Sequence, residues 1–190
     1  MRFLLKNARL SFPNLYKKSV AKGASPDSAA FSASFIIPPN HPQLPALREA
    51  IKQAAIEKFG PAKGAAMLKG FEAAGKTCLH NGDVKSEYDG FAGNLYVAAR
   101  AYTRPSCFDT DGTDVDEASG VLYAGAFVDA ALDITGYDNA SKGVRAGLRG
   151  VKKRADGDAF SGSAPAKADE FDEIGAEGTE GPPSDEDLTA

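Results

Sequence analysis

The sequence predicts a mainly β protein: a small, strongly curved antiparallel β-barrel with an inserted helical segment, followed by a disordered acidic tail. Three observations predict it. Several segments alternate apolar and polar residues with the period of a half-buried strand. One stretch between the second and third of them switches to helical spacing. After Gly157 the apolar pattern stops. The expected organisation is an ordered body at 1–157 and a tail at 158–190.

Residues 1–10 read as the first strand, with Ser11-Phe12-Pro13-Asn14 as its exit. Residues 16–28 form a basic, Gly- and Ser-bearing loop with Lys17, Lys18 and Lys22. In the second strand, 29–37, Phe31, Ala33, Phe35 and Ile37 alternate with Ser32 and Ser34, and Pro38-Pro39 ends it. A helix follows at 44–59, where Leu47, Ala50, Ile51, Ala54 and Ala55 recur at helical spacing before the stop at Gly60-Pro61. A shorter helix at 63–74 presents Met67, Leu68 and Phe71 for packing against a sheet.

Asn81-Gly82-Asp83 is a turn signal. The third strand, 93–102, sets Leu95, Val97, Ala99 and Ala101 against Tyr96, Arg100 and Tyr102. Residues 109–120 make a polar acidic loop. The fourth strand, 121–135, is apolar at every even position, and the fifth, 143–154, alternates Val144, Ala146 and Leu148 with Arg145 and Arg149. Gly93, Gly125 and Gly147 fall where curved sheets bend or bulge.

Charge is divided unevenly. The whole chain is at −4, but residues 155–190 hold eleven carboxylates and one lysine, and residues 1–154 hold 21 Lys+Arg against 15 Asp+Glu, a net of +6. A basic body on an acidic tail points to nucleic acid. The tail has too few large apolar residues to offset its ordering entropy.

Alternation also assigns faces. With the apolar positions inward, Tyr96, Arg100 and Tyr102 point outward, as do Tyr123 and Phe127, and Arg145 and Arg149. Rings interleaved with arginines on a sheet suit unpaired bases and their phosphates. Packing under the helix, or a homodimer interface, is the other use for Tyr123 and Phe127.

Other motifs weigh less. Gly70-Phe71-Glu72-Ala73-Ala74-Gly75-Lys76-Thr77 matches a phosphate-binding loop in letters, yet a helix precedes it where a strand is required. Asp109–Glu117 resembles a calcium loop, but its Gly is fourth rather than sixth. Cys78 and Cys107 suggest buried or idle thiols, and neither His41 nor His80 stands in zinc-finger spacing. No metal, cofactor or catalytic constellation is expected. The start of the chain builds no apolar signal segment, and no stretch approaches a membrane span, so the expected location is the cytoplasm.

Several strings stand in the order of a known family. They are Lys6-Asn7-Ala8-Arg9-Leu10-Ser11-Phe12-Pro13, Phe31-Ser32-Ala33-Ser34-Phe35-Ile36-Ile37-Pro38, Asn81-Gly82-Asp83, Arg104-Pro105, Tyr123-Ala124-Gly125-Ala126-Phe127-Val128, Tyr137-Asp138-Asn139 and Lys142-Gly143-Val144. On these the chain resembles the phage-encoded single-stranded DNA-binding proteins, formerly a domain of unknown function. Their fold is similar to the OB-fold DNA-binding protein of T7-like phages. The resemblance implies an OB fold and sequence-tolerant binding of single-stranded DNA in phage replication or recombination, in the host cytoplasm. It also implies an acidic tail that contacts replication or recombination proteins. Tails of the bacterial and T7 type end on an aromatic or apolar residue, whereas this one ends Asp185-Glu186-Asp187-Leu188-Thr189-Ala190.

The expected DNA groove combines Tyr16, Tyr88, Phe91, Tyr96, Tyr102 and Tyr137 for stacking. Arg100, Arg104, Lys142, Arg145 and Arg149 hold the backbone, with Lys17, Lys18 and Lys22 on the first loop and Lys152, Lys153 and Arg154 closing the last strand. Duplex DNA or RNA on the same surface stays open as an alternative. So do a small NTPase using Lys76 and Thr77, and an assembly protein with the tail as spacer.

Overall fold

In a computed structural model, residues 1–20 and 23–161 are described; Lys22 and the tail beyond Ser161 lie outside them. The elements in chain order are β1 (Arg2–Ser19), β2 (Ala30–Ile37), α1 (Leu44–Phe59), α2 (Pro61–Ala73), β3 (Leu79–Asn81), β4 (Leu95–Ala101), β5 (Ser106–Phe108), β6 (Phe127–Asp138) and β7 (Lys142–Ala155).

Five strands close a barrel in the order β4-β2-β1-β6-β7, and β7 returns to β4 through the parallel pairs Ala99↔Ala146 and Arg100↔Gly147. The other barrel pairings are antiparallel. This is the mainly β barrel expected, with the connectivity of an OB fold. Closure leaves no barrel strand with an open ladder, which is how small curved sheets avoid exposed edges. Short β3 and β5 extend the sheet beside β4 and β7.

Alternation has filled the interior as expected. Leu5, Leu10, Phe35, Ile37, Val97, Val128, Leu132, Ile134, Val144 and Leu148 form one buried core. Helix α1 adds Leu47, Ile51, Ala54 and Ala55 to it and packs against β6 and β7. Each fully buried Val, Leu, Ile or Phe among these contributes about 1.5–3 kcal/mol of transfer free energy.

Three expectations need correction. Strand β1 does not exit at Ser11-Phe12-Pro13-Asn14 but continues through Ser19, absorbing part of the expected loop. Its ladders shift register between Leu5 and Ala8 and between Ser11 and Asn14, where Asn7 and Phe12 take the left-handed backbone with φ of 55° and 47°. Pro13 falls within the second irregularity, where a missing N–H does least harm.

The fourth strand begins at Phe127 rather than 121, because its β7 ladder starts only at Phe127↔Ala155. Residues 121–126 form a loop tied to β1 by hydrogen bonds from Gly125 N to Leu10 O and from Leu10 N to Ala126 O. Finally, packing continues past the expected boundary at 157. Phe160 N donates to Ala124 O at 3.0 Å, and the Phe160 ring is buried.

Among the described residues no helix is long and apolar enough to cross a membrane, and no cluster of three or more acidic, His or Cys side chains could hold a metal. Cys78 and Cys107 are buried, free thiols, and burial pushes the Cys78 thiol up to about 12.

Candidate nucleic-acid interface

Side chains that leave the barrel alternate with those that fill it, so the strand registers build outward-facing rows. One row runs Ser11↔Ser34↔Ala98 across β1, β2 and β4. The next runs Asn14↔Ser32↔Arg100↔Gly147↔Asp133 and reaches β7 and β6. The first row is made of small residues, with Ser11 and Ser34 buried, and the second carries Ser32 and Gly147 between Asn14, Arg100 and Asp133.

Arginines gather along the second row. Arg100 is exposed, and its Nη2 donates to Ser28 O at 2.8 Å. Arg145 and Arg149 flank Gly147 on the same face of β7, and both are exposed. Arg149 pairs with Asp133 at 3.5 Å, whereas Arg145 has no ion pair among the described residues. Tyr102, just past β4, is 66% exposed. The structure thus brings Arg100, Tyr102, Arg145 and Arg149 together.

It removes two expected residues from the surface. Phe91 is fully buried and Tyr96 is 6% exposed. Tyr96 points away from the barrel core, as alternation in β4 requires, but a second layer that includes Phe91 covers it. Ile36, Phe91, Tyr96, Ala124 and Phe160 form a small outer core. Its lid is the segment 82–94 together with residues 158–161. The Phe91 and Tyr96 rings meet at 5.1 Å, His80 stacks on Tyr96 at 5.0 Å, and the Arg9 guanidinium lies 4.5 Å over Phe160. Tyr96 and Phe91 therefore support the lid and are not free to stack on bases.

Tyr88 sits on the same lid but stays 47% exposed. Its ring meets Phe12 edge to face at 5.1 Å, and Phe12 is itself 40% exposed. Sequence reasoning passed over Phe12 as part of a strand exit. A phenylalanine beside a proline, between two polar residues, was the available signal. Lys85 was also missed, and its ammonium lies 4.8 Å from the Tyr96 ring and 5.4 Å from Phe12.

The remaining expected residues lie elsewhere. Tyr16 is half-buried, its hydroxyl enclosed beside the Cys107 thiol without a well-formed hydrogen bond, and burial pushes its pKa up. Arg104 lies 5.3 Å over its ring. Lys17 pairs with Glu117 at 2.7 Å, and Lys18 lies 5.8 Å from the Phe31 ring. Tyr137 and Lys142 are at the β6–β7 turn, where Lys142 pairs with Asp138 and faces Phe59. Lys152 is exposed, but Lys153 is mostly buried and bound to Asp156 at 2.7 Å.

The string Gly70 to Thr77 has the reverse polarity of a phosphate cradle. It forms the C-terminus of α2, closed by Gly75 at φ 64° with Lys76 N donating to Phe71 O. Carbonyls, not N–H groups, converge at such an end. Thr77 is buried, and its hydroxyl donates to Leu79 O.

Comparison with known proteins agrees with this architecture. Bacteriophage Enc34 single-stranded DNA-binding protein, solved in complex with ssDNA, has a TM-score of 0.69 at 21% identity, covering 83% of this chain and 88% of that one. The T7-encoded single-stranded DNA binding protein gp2.5 has a TM-score of 0.56 at 14% identity, covering 81% and 91%. Protein p50 of Acyrthosiphon pisum secondary endosymbiont phage 1 is 36% identical over 176 residues, 92% of this chain and 94% of that protein. The family model described as Enterobacter phage Enc34, ssDNA-binding protein, matches residues 1–181, and the chain belongs to that family.

Proposed function

We propose that this protein binds single-stranded DNA, non-enzymatically and with little sequence preference, during phage DNA replication or recombination. The observation that carries the reading is the outer barrel face, where the exposed Arg100, Arg145 and Arg149 gather around Gly147 and the exposed rings of Phe12, Tyr88 and Tyr102 stand on the same protein surface. Such a surface has stacking faces for bases and cations for phosphates, and little that distinguishes one base from another. The solved relatives named above bind single-stranded DNA by their own descriptions. The acidic segment beyond Ser161 competes with DNA for the basic face and, once displaced, recruits replication or recombination proteins.

Titration of a fluorescent oligonucleotide at several salt concentrations tests the reading. With four to six phosphate contacts, the log–log slope should be about −3 to −4. Duplex DNA and RNA run in parallel measure selectivity. A flat salt response, or no binding at low salt, overturns the proposal.

A further inference from the structure

Between the Phe12 irregularity of β1 and the lid lies a pocket of about 350 Å³. Phe12, Pro13 and Asn14 form one wall; Glu87, Tyr88 and Asp89, with Phe160 and Ser161, form the other. The Phe12 backbone stands in the left-handed region, which a β-sheet residue adopts only under constraint from its surroundings. Such outliers gather at ligand sites. Here the result is a ring left 40% exposed beside the half-exposed Tyr88.

The pocket's polar groups select among the parts of a nucleotide. Its own charged lining is acidic, Glu87 and Asp89. The cations Lys85 and Arg9 stand behind its walls, against the Phe12 ring at 5.4 Å and the Phe160 ring at 4.5 Å, so the interior favours a base and the rim a phosphate. Asp89 is already engaged, since its Oδ2 accepts from Ser161 N and Oγ at 2.7 Å. Glu87 has no hydrogen bond or ion pair among the described residues. Two aromatic surfaces and an unengaged carboxylate suit a base that carries an exocyclic amine. Continuity with the Ser11↔Ser34↔Ala98 row places the pocket at one end of the proposed DNA path.

We infer that this corner is a single-base subsite. An unpaired base stacks on one of the two rings and meets the other edge on, since Phe12 and Tyr88 stand at 84° to each other. Its sugar-phosphate stays outside, and Glu87 accepts a hydrogen bond from its exocyclic amine. Cytosine, adenine and guanine, which carry an exocyclic amine, are thereby favoured over thymine at this one position. The inference rests on the proposed single-stranded DNA binding and adds a defined site to it.

The test uses the full chain and three strands of equal length: oligo-dC, oligo-dT and a strand with abasic sites. Phe12→Ala and Tyr88→Ala should each weaken binding to the base-bearing strands by about tenfold, as loss of a base stack does. Tyr88→Phe should restore it. On the abasic strand, which has the same phosphates, parent and variants should bind alike. Glu87→Ala, which removes the acceptor, should erase the preference for dC over dT. Equal losses on abasic and base-bearing strands would mean that the rings only support the fold. No loss on any strand would also overturn the subsite, while leaving single-stranded DNA binding intact. A parent protein that binds no strand would remove both readings.

Discussion

The Phe160 ring fills the space beside Gly90: a Cβ built on Gly90 would stand 2.7 Å from Phe160 Cζ. Gly90 also has φ of 81°, so the lid is shaped at this point to receive a ring distant in sequence. Two hydrogen bonds from Ser161 to Asp89 fasten the same contact and hold the Asp89 carboxyl below its ordinary pKa. Phe160 and Ser161 thus brace the segment that carries Tyr88.

Truncation after Gly157 and truncation after Ser161 should therefore have opposite effects. The shorter protein loses Phe160, at a cost of about 3 kcal/mol for a buried phenylalanine, and loosens the lid, so it melts earlier and binds DNA more weakly. The longer one keeps the brace and drops only the segment 162–190, with its nine carboxylates and one lysine. It should bind more tightly at low salt, with the gain shrinking as salt screens the tail. Melting curves and oligonucleotide titrations of both proteins check this. Matching affinities for the two would break the link between the brace and the interface.

Arg145 is the exposed arginine whose loss nothing nearby offsets, while Arg149 shares its charge with Asp133. Arg145→Ala should weaken binding to all sequences alike and lower the magnitude of the salt slope by about 0.7, one single-strand phosphate contact. Asp133→Asn should tighten binding by releasing Arg149. Salt titrations of the two variants read both effects, and an unchanged slope for Arg145→Ala would place the DNA backbone elsewhere.

Gly75→Ala and Lys76→Ala separate letters from geometry in the Gly70 to Thr77 string. Gly75 closes α2 in the left-handed conformation, so alanine there should cost about 1–2 kcal/mol of stability. Lys76→Ala should leave both stability and DNA affinity close to those of the parent. Chemical denaturation and one titration settle the pair. A nucleotide-hydrolysis activity in the parent that Lys76→Ala abolishes would restore the phosphate-loop reading.

His80 makes stability depend on pH. Burial first, and the Lys85 charge second, push its pKa below the ordinary 6.5. The unfolded chain therefore takes up a proton more readily than the folded one. Its contribution to stability is present above pH 6.5 and is lost as pH falls below that value. Melting temperatures of the parent should drop between about pH 7.5 and 5.5 more than those of His80→Gln. Parallel curves would show that other groups dominate.

Much of the barrel was legible in the sequence because strand alternation is a local property. It settled that Leu132 and Val97 face inward and that Tyr96 and Arg100 face outward, and helical spacing placed α1 at its observed bounds, Leu44–Phe59. Segregation of charge was likewise visible without coordinates. Which outward residues stay exposed was decided only by tertiary structure. Alternation names the side of the strand, not what covers that side, and Tyr96 is covered by Phe91 and by Phe160. Phe12 escaped notice for the complementary reason: only the β2 pairing of Ser11 and Asn14 on either side of it, and the contact with Tyr88, show that the chain continues as strand around an outward-facing ring. Inside and outside follow from neighbours in sequence, whereas cover follows from neighbours in space.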